Sequence, residues 1–216
     1  MLIVEFHCHT CFSKDSLTRP EELVRACRRK GIDRVIVTDH NSIQGGLAAQ
    51  ALDPELVIVG EEVMTTQGEL LASFVQEQVP AHLSPRETLK RLKDQGAFIS
   101  VSHPFDEFRE GGWRENDLLD ILPEVDAIEV FNSRCILPRF NRKAREFAER
   151  HNIAGTVGSD AHTVLELGRS VLLLDHFEGP KEMRQVIRMG TPRVKSSPWW
   201  IHLSSRYASL RRILKS

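Results

Sequence analysis

Two pairs of side chains near opposite ends of the chain restrict its fold more than any other feature. His7-Cys8-His9 directly follows the apolar run 2–6, and Asp160-Ala161-His162 follows the apolar run 153–157. In an extended chain side chains alternate between faces, so His7 and His9 point one way and Cys8 the other, and Asp160 and His162 share a face by the same rule. Each pair can grip an ion, and the two can cooperate only if the first and last strands meet. A (β/α) barrel brings them together, because the carboxyl ends of its parallel strands converge on one rim. Thr38-Asp39-His40, after the apolar run that starts at Arg34, is a third corner of the same form.

Between these corners the chain repeats a unit of short apolar run, polar corner and amphipathic helix, which is α/β patterning. Strands are expected over 2–6, 34–38, 56–60, 97–101, 127–131, 154–157 and 170–174, with a further extended run over 70–75 beside the third. Thr18-Arg19-Pro20-Glu21 has the form of a capping box opening a helix that Gly31 closes, and Ser84-Pro85-Arg86-Glu87 repeats the device before Gly96. A third helix follows Pro138, with Phe140, Ala144, Phe147 and Ala148 on one face, and a fourth begins near Pro180. Gly45-Gly46 falls within another predicted helix and has neither the lysine of a phosphate loop nor a dinucleotide fingerprint, so it reads as close packing or a local irregularity.

The expected architecture is therefore α/β, a distorted (β/α)7 TIM-like barrel over 1–190, followed by a basic tail over 191–216. In the tail, Arg193, Lys195, Arg206, Arg211, Arg212 and Lys215 are unopposed by acids, and Leu203, Tyr207, Leu210 and Leu214 form a stripe at helical spacing that would dock on the barrel. At 216 residues the chain can bury a core without staples, and a formal net charge of −1 argues against wholesale coating of nucleic acid. Four cysteines, Cys8, Cys11, Cys27 and Cys135, are few for a disulfide scaffold, and the Cys8-x-x-Cys11 spacing lacks the second pair a zinc ribbon needs. With no leader pattern and no apolar run long enough for a membrane span, a cytoplasmic protein without a membrane partner is expected.

The strand ends collect His7, His9, His40, Glu62, His103, Asp160 and His162, and adjacent loops add Asp15 and Glu69. Five imidazoles and four carboxylates exceed what one tetrahedral ion needs, whereas two or three divalent ions sharing bridging carboxylates would use them all. Four carboxylates against three such ions leave about +2, which suits a phosphoryl dianion. Two ions about 3.5–4 Å apart lower the pKa of a bridging water and clamp the attacking and leaving oxygens of an in-line displacement. Hydrolysis of a phosphate ester is the reaction such a site favours. Glu61 and Glu62 both follow the third strand, and only one can face the rim. Asp39 and His162 are the candidate catalytic side chains, Asp39 either orienting an imidazole or acting as an acid near the leaving group. Asn132, Arg134 and Arg169 fall near the expected rim as candidate substrate contacts.

Taken in order, His7-Cys8-His9-Thr10 with Asp15, Thr38-Asp39-His40-Asn41, Gly60-Glu61-Glu62, Ser102-His103-Pro104 and Gly158-Ser159-Asp160-Ala161-His162 resemble the motifs of the PHP family, named for polymerase and histidinol phosphatase. The resemblance runs over roughly residues 1–175. It implies a distorted (β/α)7 barrel with a trinuclear site of zinc, iron or manganese, and hydrolysis of phosphomonoesters or nucleic-acid phosphodiesters. Its spacing after Gly60 favours Glu62 over Glu61. Asp15 and Glu69 stand where histidinol phosphatases commonly carry histidine, and these harder oxygen donors favour manganese or iron. In this the chain is more similar to the small PHP phosphoesterases that act on nucleotides. The expected activity is a phosphoesterase using a metal-activated hydroxide on a small phosphorylated molecule such as a nucleotide. The alternatives are a 5'-to-3' exonuclease on short oligonucleotides, with Trp199, Trp200 and the basic tail supplying stacking and backbone contacts, an amide hydrolase on a related metal barrel, and a PHP module whose metals only stabilise the fold.

Overall fold

In the computed structural model, which describes residues 1–214, the strands are β1 (Leu2–Cys8), β2 (Arg34–Val37), β3 (Val57–Met64), β4 (Glu69–Ser73), β5 (Phe98–Val101), β6 (Ala127–Asn132), β7 (Ala154–Gly158), β8 (Val171–Leu174) and β9 (Thr191–Arg193). They form one sheet in the order β7-β6-β5-β4-β3-β2-β1-β8-β9. The sheet curls until the end of β1 meets the chain leaving β7. Cys8 bridges Ala161 in parallel, and the His9 amide donates to the Ala161 carbonyl at 2.8 Å. The result is a nearly closed barrel, and it joins the two ion-gripping pairs as their spacing requires. Val4, Phe6, Ile36, Ile58, Phe98, Ala127, Ala154 and Val157, drawn from six strands, form one apolar cluster that fills it.

The helices are α1 (Pro20–Lys30), α2 (Gln44–Leu52), α3 (Pro85–Asp94), α4 (Glu115–Ile121), α5 (Pro138–Arg150), α6 (Pro180–Val186) and α7 (His202–Ile213). Among the described residues none is long and apolar enough to cross a membrane. The α1 cap sits one residue later than the sequence pattern suggests. Arg19 is the N-cap, and Glu22 rather than Glu21 reaches back to its amide at 3.1 Å. Ser84 caps α3 as expected, accepting from the Glu87 amide at 3.3 Å. Helix α4 was not anticipated, since two buried positions, Leu118 and Ile121, are too few to show a period.

The strand directions depart from a simple (β/α)7 plan in two places. β4 runs antiparallel between β3 and β5, because the four-residue turn closed by Thr65 N–H to Gly68 O (2.9 Å) is too short for a crossover. β8, expected as the seventh barrel strand, returns antiparallel to β1, because no helix separates it from β7. β9 pairs with β8 and carries the sheet past residue 190, where composition alone places the end of the barrel.

Helix α7 docks with the opposite face from the one its stripe suggests. Leu203, Tyr207 and Leu210 are 57, 60 and 55% exposed, while Ile201 and Ala208 are 3 and 2% exposed. The small Ala208 lets the helix lie close to the barrel, which the leucines would prevent. Lys215, counted with the basic tail, lies outside the described residues.

Candidate metal centre

All nine expected ligands meet in one web at the carboxyl end of the barrel, buried except at His40 and Asp15, which are partly exposed. His7 Nε2 and His9 Nε2 are 3.1 Å apart. Glu62 faces four imidazoles, with Oε1 3.4 Å from His7 and 3.2 Å from His103, and Oε2 3.4 Å from His9 and 3.0 Å from His40. Asp160 Oδ1 lies 3.2 Å from His9 Nε2 and 3.4 Å from His162 Nδ1. Asp15 joins the far side, 3.0 Å from His162 and 3.6 Å from His40. Glu69 closes the ring 3.4 Å from His103 and 3.7 Å from His40. Glu61 points away from this web and accepts from the Val79 amide at 3.0 Å, so the choice between adjacent acids falls on Glu62.

The surroundings set three imidazoles in the tautomer a metal needs. Glu129 Oε1 lies 3.0 Å from His7 Nδ1, and a carboxylate can only accept, so Nδ1 carries a proton and Nε2 is the nitrogen left for a metal. Ser13 gives its hydroxyl proton to Asp39 at 2.5 Å and so accepts from His9 Nδ1 at 3.1 Å. The Asp160 carbonyl takes the His162 Nδ1 proton at 2.8 Å. In each case Nε2 faces the cluster. Asp15 Oδ1, Glu62 Oε2, Asp160 Oδ1 and both nitrogens of His103 are buried without a hydrogen-bond partner. Sets such as His9/His40/His162, His7/His9/Glu62 and His40/Glu62/Glu69 each place three donor atoms within 4.8 Å of one another. Buried, unpartnered donors of this kind fit divalent cations.

Electrostatics keeps the carboxylates and His9 ready for that fit. At His7 and His40 burial is outweighed by the facing acids, Glu62, Asp160 and Glu129 for His7 and Glu62 and Asp15 for His40. These lift both imidazoles well above their usual range, so an ion would displace protons there. Burial alone would raise the Asp160 carboxyl, but Arg109, His7, His9 and His162 hold it well below the usual range. Burial is likewise outweighed at Glu62, by His7 and His40. Burial together with the neighbouring His162 and His40 presses His9 down to about 3, so it stays neutral. Ionised carboxylates beside a neutral imidazole are the states that bind metal.

The remaining candidates take different places. Asp39 is clasped by the Thr10 amide (2.7 Å), the Thr10 hydroxyl (2.5 Å) and Ser13, so it holds the loop after β1 and acts on His9 through Ser13 rather than as an acid at a leaving group. A Cβ at Gly45 would collide with that carboxylate, which is what the first glycine of the pair is for. Asn132 is buried and brackets Glu129 and Asp160 at 3.0 and 3.2 Å. Arg134 is buried in a fork with Glu166 at 2.6 and 3.1 Å. Glu166 in turn accepts from the amides of His162 and Thr163 at 3.1 and 3.0 Å. Arg169 is not at the rim. The chain turns at Gly168 (φ 78°), and Arg169 lines a separate cavity with Lys30, Arg193 and Lys195.

Sequence reasoning missed Glu129, Glu5, Glu166 and Arg109. Glu5 accepts from the Ser159 amide at 2.9 Å and from the Ser159 hydroxyl, fixing the turn into Asp160, whose φ of 51° an aspartate tolerates. Arg109 reaches Asp160 Oδ2 at 2.6 Å and Asp106 at 3.3 Å. Glu5 and Glu129 show in the sequence only as single acids inside apolar strands, which by itself reads as solvent-facing alternation. A cleft of about 1000 Å³ opens over Asp15, His40, Glu69 and His162, with Phe12, Lys14, Phe108, Arg109, Arg134, His202 and Arg206 among its walls.

A family model described as the PHP domain matches residues 5–97, and a second, described as PHP-associated, matches 138–192. The chain belongs to the PHP family. An uncharacterised protein of Methanocaldococcus jannaschii is 34% identical to this PHP protein over 198 residues, covering 87% of this chain and 80% of its own. Among solved structures, PsfC from Pseudomonas syringae superposes with a TM-score of 0.68 at 15% identity, over 100% of this chain and 99% of its own. A protein from Bifidobacterium adolescentis named as a candidate metal-dependent phosphoesterase gives 0.62 at 17% identity, and an amidohydrolase from Chromobacterium violaceum, solved with sulfate and no metal, gives 0.60 at 14%. Each of these two covers 74% of this chain and 87% of its own. At these identities the likeness is one of fold.

Proposed function

We propose that this PHP protein is a metal-dependent phosphoesterase that hydrolyses a small phosphorylated molecule, a phosphomonoester or nucleotide, at a site of two or three divalent ions held by His7, His9, Asp15, His40, Glu62, Glu69, His103, Asp160 and His162. The observation that carries this reading is the set of imidazoles fixed through Nδ1, with Nε2 turned to the cluster, around unpartnered carboxylate oxygens. Donor sets that share His9, His40 and Glu62 support more than one ion. The oxygen donors of Asp15 and Glu69 favour manganese or iron more than imidazoles at those positions would. When bound, the ions supply an activated water and neutralise phosphoryl charge.

The chain's own residues do the rest. Glu129, and Ser13 backed by Asp39, keep His7 and His9 oriented, Glu166 holds the loop of His162, and Arg109 bridges Asp160 and Asp106 and so fixes the Asp160 carboxylate. The cationic wall of the cleft favours anionic esters over neutral amides. Elemental analysis of the purified protein, paired with manganese-supplemented turnover on nucleoside monophosphates, an aryl phosphate and an acyl amide, tests this. Two or more ions with phosphate release, both lost in Asp160→Ala, are expected. Amide hydrolysis without phosphate release would overturn it.

A further inference from the structure

We propose that helix α7 is the specificity element of this site, with Arg206 and His202 contacting the part of the substrate beyond the scissile phosphate, a flat leaving group that carries its own negative charge. The proposal rests on the phosphoesterase reading. His202, Ser205 and Arg206 line the metal cleft, while Ser204, Tyr207 and Ala208 line a second cavity of about 480 Å³ that also reaches Asp15 and His162. The helix therefore lies across the mouth of the site and divides it.

Its seat is built into the metal loop. Arg134 Nη1 donates to Ser205 Oγ at 2.9 Å, and the same guanidinium grips Glu166, which carries the amides of His162 and Thr163. Residues beyond 192 lie outside both family models, so this wall is not part of the matched PHP regions.

Charge defines the occupant. Arg109 and Arg134 are both committed to carboxylates, but among the described residues neither Lys14 nor Arg206 makes an ion pair. Two uncommitted cations in a cleft already holding the metal ligands call for an anion besides the phosphoryl group. Phe12 and Phe108, both exposed in the cleft wall, offer flat apolar faces to a planar ring.

The test compares kcat/KM of the metal-loaded full chain on 4-carboxyphenyl phosphate and on its neutral carboxamide counterpart. Arg206→Ala is expected to lower the anionic-to-neutral ratio about tenfold, mainly through KM, the worth of one charge-assisted hydrogen bond, and Arg206→Lys to restore part of it. An unchanged ratio in Arg206→Ala overturns the proposal. If the wild-type protein hydrolyses neither ester, the phosphoesterase reading fails on its own account. Calorimetric binding of 4-carboxyphenylphosphonate then decides α7. Binding about tenfold weaker in Arg206→Ala, with slowed amide exchange in α7 of the wild type, supports the assignment, and equal binding overturns it.

Discussion

Replacing Glu129 with glutamine should weaken metal binding without disturbing the fold. The carboxylate accepts three hydrogen bonds, from His7 Nδ1 (3.0 Å), the His103 amide (2.9 Å) and Asn132 Nδ2 (3.0 Å). Glutamine has the same shape but only one oxygen. If that oxygen turns to His103 and Asn132, its NH2 faces His7 and forces the proton to Nε2, where the metal should bind. If it turns to His7, the NH2 meets two other donors in a buried site.

Either arrangement loses a charge-assisted hydrogen bond worth about 1.5–3 kcal/mol. That corresponds to about 10–100-fold in affinity, the usual cost of removing a group that orients a metal ligand. Titrating the apo-protein with manganese or zinc against a competing chelator would measure it. Affinity within about twofold of wild type, in a variant with unchanged circular dichroism, would refute the assignment of His7 tautomer and of Glu129 as its keeper.

Other substitutions probe the remaining supports. Gly45→Ala forces a methyl onto the Asp39 carboxylate and Thr10 hydroxyl and should cost about 1–3 kcal/mol in thermal unfolding, whereas Gly46→Ala, whose Cβ meets Val59 at 3.2 Å, should cost less. Reversal of that order would contradict the packing described. Arg134→Met strands the buried Glu166 charge and should cost about 3 kcal/mol in denaturant titration, with loss of metal affinity through His162; a cost under about 1 kcal/mol would show the pair to be dispensable. Burial lifts the Glu61 carboxyl to about 7, so the folded chain holds its proton more tightly than the unfolded one does. The stability this contributes is complete below about pH 4.5 and is lost as the pH rises through 7, with a ceiling of about 3 kcal/mol. Apo Glu61→Gln should therefore lose less stability than apo wild type between pH 5 and pH 8, and parallel curves would remove Glu61 as the cause.

The ligands were legible because a barrel rim writes itself into sequence, as His, Asp or Glu placed just after apolar runs. The supports were not. Glu129 and Glu5 sit inside strands, where an acid reads as a solvent-facing alternate until the barrel is known to close. Arg109 lies on an irregular stretch between β5 and α4, which has no period to read. Nearness in sequence misled at Arg169, because the turn at Gly168 carries it away from His162 within a few residues. Counting apolar residues misled at α7, because close docking selects small side chains such as Ala208 over large ones. The direction of β8 depends on the length and content of a connection, not on the strand's own composition.

Removal of the ions should loosen this protein without unfolding it. The two halves of the ligand set come from opposite ends of the chain, yet hydrogen bonds within the protein stitch them together. Ser16 and Thr18, after the first pair, donate to the His162 carbonyl at 2.9 and 3.1 Å, and the Ala161 amide donates to the His7 carbonyl at 3.3 Å. Beside them stands a barrel core independent of the site. A small metal-built domain gains its folding energy from the ion. Here the ion adds only its binding linkage, about 4 kcal/mol when free metal exceeds the dissociation constant a thousandfold. Chelation should lower the melting temperature by about 8–16 °C and leave one cooperative transition with the same far-ultraviolet spectrum. Loss of that spectrum on chelation would mean that the carboxylates repel one another more strongly than the stitching holds them, and that the ions, not the barrel, assemble the site.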